Sequence, residues 1–127
     1  MNLLFYASTT QDVTKRLQKV IEMVVPGKNR RICRDIQGLS QRLREPADGQ
    51  RIVVLSASNR QDLSSIQSIR DLLSDDPIII ILPDRKADTI SMGHSLHPRF
   101  LTYFDSDFVE LAGVLDKMLK NPDSVGI

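Results

Sequence analysis

The chain has 127 residues, a formal charge of +1 and 41% hydrophobic residues, which is the length of one domain able to bury its own core without disulfides or a structural metal. The near-neutral balance carries no global signature of a nucleic-acid or membrane partner, and the single cysteine, Cys33, excludes an internal disulfide and a cysteine-cluster metal site. The opening "MNLLFYAS" has no basic leader or cleavage pattern and no apolar run reaches bilayer-spanning length, so a soluble cytoplasmic protein is expected.

In chain order, "LLFY" (3 to 6) is the first apolar run and predicts a strand. It delivers Ser8, Thr9 and Thr10 to the start of a helix, an arrangement that either cradles an anion or caps the helix. With Gln11 or Asp12 three residues on, Ser8 or Thr9 reads as an ordinary N-cap. Val13, Leu17, Val20, Ile21 and Val24 then form a helical stripe closed by Pro26 and Gly27. "RRICRDI" (30 to 36) is a weaker strand, more mixed with polar residues and suited to a sheet edge. A short helical stretch follows around Leu39 to Arg44, weakened by Gly38.

"IVVL" (52 to 55) and "IIIIL" (78 to 82) are apolar without alternation, as strands covered by helices on both faces must be. Leu63, Ile66, Ile69, Leu72 and Leu73 form the stripe between them, ending at the breaker "SDDP". A stretch around Ala87 to Leu96 is a short helix, and "RFLTYF" (99 to 104) is a second edge-type strand. Phe108, Leu111, Ala112, Leu115, Met118 and Leu119 form the last stripe, ended by Asn121 and Pro122, with Asp107 as N-cap and Glu110 completing a capping box. Residues 1 to 121 thus make one domain, and residues 122 to 127 a tail.

Strand and helix alternate five times, which predicts a parallel sheet with helices on both faces and the strand order 2-1-3-4-5: an α/β, flavodoxin-like, doubly wound three-layer sandwich. In such folds ligands bind beyond the carboxyl ends of the strands. Function therefore has to be sought in "ASTTQD", "SASNR", "PDRK" and "DSD".

The spacing of the five units, with the phrase "RFLTYFDSDFVELAGVLDKML", resembles the receiver domains of response regulators over nearly the whole chain. That family holds magnesium with acids after the first strand and accepts phosphate on an aspartate ending the third. A hydroxyl after the fourth strand and a lysine after the fifth bind phosphoryl oxygens. Here the corresponding positions are Ser8 and Thr9, Ser56, Pro83 and Tyr103. The resemblance therefore implies a pseudo-receiver: a non-enzymatic signal-transduction or protein-interaction domain without catalytic residues, bound metal or cofactor. Asp12, Asp84 and Asp105 lie at the right end of the sheet but read as solvated or capping acids. By analogy with receivers, the region from Ala87 to Leu119 would contact a signalling protein or a second copy, through Met92, Tyr103 and Phe104.

Two alternatives come from other features. "YASTTQDVT" also resembles the loop that binds the flavin phosphate in flavodoxins, implying a small ligand-binding or redox protein. Against that, Gln11 or Asp12 replaces the needed glycine, and the "SASNR" and "PDRK" loops offer no ring to flank a flavin. Lys28, Arg30, Arg31, Arg34, Arg42 and Arg44 bias the second strand and its helix toward positive charge, which suits an acidic partner or phosphate backbone. Without interleaved aromatics, the simpler expectation is an edge strand protected by charge, with nucleic acid disfavoured. His94 and His97 lack a third ligand and read as surface residues, and Cys33 as a half-buried hydrophobe.

Overall fold

The computed structural model describes residues 2–9, 11–45, 51–73 and 76–120. Five strands, β1 (Asn2–Ala7), β2 (Arg30–Cys33), β3 (Arg51–Ser56), β4 (Ile78–Leu82) and β5 (Phe100–Tyr103), form one sheet in the order β2-β1-β3-β4-β5. All neighbours pair in parallel. The connecting helices are α1 (Asp12–Val24), α2 (Ile36–Arg44), α3 (Arg60–Ser68) and α4 (Ala87–His94), and α5 (Val109–Lys120) follows β5. The doubly wound, flavodoxin-like architecture expected from the sequence is the observed one. Among the described residues no helix is long and apolar enough to cross a membrane.

The unbroken apolar runs are explained by the two cores they feed. Side chains alternate across a strand. Leu4 and Tyr6 of β1, Val53 and Leu55 of β3 and Ile80 of β4 therefore pack with Leu39, Leu63 and Ile66 from α2 and α3. Their neighbours Leu3, Phe5, Ile52, Val54 and Ile79 pack with Leu17 and Ile21 of α1 and Leu111 and Leu115 of α5. Each central strand is polar on neither face because both faces meet a helix. On the first face α4 comes especially close: a Cβ on Gly93 would sit 3.1 Å from methyls of Leu82 and Leu101. The glycine that weakens α4 in isolation is thus where the helix touches the sheet.

Four boundaries differ from the sequence expectation. β2 ends at Cys33 rather than at residue 36, because Asp35 turns out of the strand to accept the Gly38 N–H at 2.6 Å and cap α2. The stripe through Leu63, Ile66, Ile69 and Leu72 is not one helix: α3 closes at Ile69 and a 3-10 turn covers Arg70–Leu73. Its uninterrupted spacing of three is the period of the tighter helix. α5 begins at Val109, with Phe108 at the cap position in the left-handed region (φ 63). Ser106 Oγ accepts the Phe108 N–H and Asp107 Oδ1 the Val109 N–H, so Asp107 bonds two residues ahead from just before the cap rather than forming the capping box expected with Glu110. The fourth difference, at the start of α1, belongs to the site below. Asn121 and Pro122, the tail to 127, Thr10 and part of "SDDP" lie outside the described residues.

At the amino end of β3, Arg51 ties the layers together. Its guanidinium donates to the carbonyls of Arg42 and Leu43 in the last turn of α2 and to Asp76 at 2.9 Å. Both members of that ion pair are nearly buried, at 11% and 12% side-chain exposure, so water screens it little.

Candidate functional site

The carboxyl ends of the strands carry two unlike clusters. The first joins β1, β3 and α3. Tyr6, buried on the α3 side of β1, donates its hydroxyl to Asp62 Oδ1 at 3.0 Å. The other carboxylate oxygen, Oδ2, accepts from Ser8 Oγ at 2.5 Å, Ser58 Oγ at 2.6 Å and the Ser58 N–H at 3.1 Å. Asp62 is placed by its helix: Asn59 caps α3 by accepting the Asp62 N–H at 2.8 Å, and from the first turn the carboxylate reaches back over the preceding loop.

Burial acts to raise the Asp62 pKa, but the bonds from Ser58, Ser8 and Tyr6 outweigh it and hold the carboxyl below its ordinary value. Burial first, then the Asp62 charge, pushes Tyr6 up to about 12. One group stays ionised and accepting while the other stays protonated and donating. Chemically this is a satisfied latch, with neither a free base nor a free nucleophile.

The same contacts correct the expectation that Ser8 or Thr9 caps α1. The cap position is Gln11, which makes no side-chain capping bond. Ser8 points across the cleft to Asp62, and Thr9 Oγ1 lies 3.3 Å from Thr14 Oγ1. Ser8 lies three residues before the Gln11 cap, too far to reach the first-turn amides, and its hydroxyl is held by the Asp62 carboxylate instead.

The second cluster lies at the ends of β4 and β5. Val13, Pro83, Asp84, Arg85, Tyr103, Phe104 and Asp105 line an open hollow of about 500 Å³, mostly apolar at its wall. Arg85 stacks on Tyr103, its guanidinium 3.9 Å from the ring centroid. Asp105 takes two bonds from the same guanidinium, at 2.9 and 3.2 Å. These bonds and the opposed charge raise the Arg85 pKa and lower that of Asp105. Asp84 accepts the Lys86 N–H at 2.9 Å, the first cause of its own lowered pKa.

Of the receiver positions, the structure brings Pro83 and Tyr103 to the hollow and Ser8 to the latch. Ser56 closes β3, buried between Ala7 and Ile81 of the flanking strands, and joins neither cluster. Phe104 lines the hollow with Tyr103, whereas Met92 packs inward against the first core. On the basic edge, Arg30 donates to the Val25 carbonyl and Arg34 to those of Ala7 and Thr9. Arg42 pairs with Glu45, while Lys28, Arg31 and Arg44 have no ion-pair partner among the described residues. Cys33 is buried, which raises its pKa. His94 ends α4, His97 sits in the following turn, and no group of three metal-ligating side chains occurs among the described residues.

Sequence reasoning missed Asp62. Its signal was present in "SASNRQD", where an asparagine cap is followed three residues later by an acid. Compared with known protein families the chain matches none, and no characterised protein is significantly similar to it.

Proposed function

We propose that this chain is a cytoplasmic, receiver-like signalling or protein-interaction domain that works by contact and lacks phosphoacceptor chemistry. The observation that carries this reading is the occupancy of the strand ends. Where acyl-phosphate chemistry needs a carboxylate on β3, two metal-binding acids after β1 and a cation after β5, the chain has Ser56, Ser8 and Thr9, and Tyr103. The carboxylate nearest those hydroxyls, Asp62, has both oxygens engaged by four donors, so nucleophilic attack would first require breaking that network. The hollow beside Tyr103 is the open part of the same end of the molecule and is the surface offered to a partner.

The test is intact-mass measurement after incubation with magnesium and acetyl phosphate, alongside backbone amide spectra. Unchanged mass and spectra are expected. A phosphorylated species would overturn the reading, and a yellow purified protein with a flavin spectrum would replace it with the flavodoxin-like one.

A further inference from the structure

We propose that the partner for the hollow is a second copy of this chain, docked head to tail through its β2 edge. This deepens the interaction-domain reading and rests on it only for the idea that the hollow is a contact surface.

Two features of the molecule are complementary in both polarity and charge. On the β2 edge, Ile32 is 39% exposed, one of three large hydrophobic side chains that stand in solvent among the described residues. Its register partner on β1 is Phe5, between the pairs Leu3 with Arg30 and Leu4 with Arg31 on one side and Tyr6 with Cys33 on the other. Arg30 precedes it on the same face of β2 and Arg34 follows two residues later, both held by carbonyls of their own chain, while Arg31 stands on the opposite face of the strand. Between residues 28 and 44 six cations face one acid.

The hollow has the opposite character. Val13, Pro83, Phe104 and Tyr103 give it an apolar lining, completed by Asp84 and the Arg85–Asp105 pair, so its charged groups sum to one net negative charge. Arg85 and Asp105 cancel each other and Asp88 is paired with Arg60, which leaves Asp84, Asp107 and Glu110 against Lys86 and Arg99 between residues 84 and 110.

An apolar knob among cations thus matches an apolar hollow whose lining carries a net negative charge. The two lie on opposite edges of one sheet, since β2 and the β4–β5 pair are separated by β1 and β3. One copy cannot fill its own hollow, and because the two features stand on opposite edges a single neighbour cannot engage both at once. The contact is heterologous: each copy offers a knob to one neighbour and a hollow to another, which generates chains or a ring rather than a closed pair.

Two variants, each spoiling one half, test this. Ile32→Asp reverses the knob and keeps the hollow, and Val13→Arg fills the hollow with a cation and keeps the knob. Sedimentation velocity on the wild type should show mass growing with concentration beyond a dimer, and raising salt should weaken association several-fold. Each variant alone should remain monomeric, and an equal mixture should form a one-to-one dimer that grows no further, with circular dichroism verifying that both are folded. A monomeric wild type at every concentration, salt-insensitive association, self-association of either variant, or failure of two folded variants to pair would each overturn the proposal. Such a failure, with the protein still inert to acetyl phosphate, would remove the self-pairing and leave the interaction-domain reading in place.

Discussion

The two halves of the carboxyl end present opposite solutions to the same problem. Over β1 and β3 the loops are closed onto one another, with a carboxylate partly removed from water and saturated by four donors. Over β4 and β5 the loops stand apart around an open hollow, and their ion pair, Arg85 with Asp105, is exposed on both sides. Bonds to a partly buried charge are strong and costly to break, whereas a solvated ion pair contributes little to stability. The first half is built to stay shut and the second to remain available.

Substitutions can break that contrast, beginning with the carboxylate. Asp62→Ala should destabilise the fold by about 3 kcal/mol, since it strands the Tyr6 hydroxyl and the Ser58 N–H together. Urea denaturation reads this directly. Because the folded pKa of Asp62 is lowered, the stability it contributes is present above the ordinary value of 3.8 and lost as pH falls through the folded one. The acid-side loss in the wild type should therefore be reduced in Asp62→Ala.

Tyr6→Phe keeps the ring and deletes one donor, so about 1 kcal/mol is expected by the same measurement. Tyr6 also sets an alkaline limit. Its pKa is raised, so its contribution is complete below the ordinary value of 10.0 and lost as pH rises from there toward about 12. Stability measured across that window should fall in the wild type and fall less in Tyr6→Phe. The smallest effect belongs to the hollow: Arg85→Ala should leave the denaturation midpoint unchanged within error. A clear loss of stability there would show that the hollow is as structural as the latch and would erase the difference between the halves.

What could be read from the sequence divides along physical lines. The strands, their order and the helix stripes were legible because burial on two faces imposes a composition that "IVVL" and "IIIIL" cannot hide. The Asp35 cap, the 3-10 turn after Ile69 and the shifted start of α5 were not, because single hydrogen bonds of a few residues' reach decide them. Of the two clusters, the sequence showed only that Ser8 and Tyr103 stand at or just beyond strand ends. Their partners were not legible: Asp62 lies 54 residues from Ser8, and Arg85 meets Asp105 across 20 residues. Local pattern cannot rank those pairings against the capping bonds nearer by.

The continuous apolar strands carry a further consequence. A protein whose strands alternate polar and apolar punishes a slip of one residue by turning charges inward. Here a slipped β1 would exchange Leu3 and Phe5 for Leu4 and Tyr6, hydrocarbon for hydrocarbon, except for one atom. The Tyr6 oxygen would then face α1, with no carboxylate to receive it. That single hydroxyl marks the correct threading of a strand otherwise able to sit one step out of place, so Tyr6→Phe should favour misthreaded chains during refolding more than its small equilibrium cost implies.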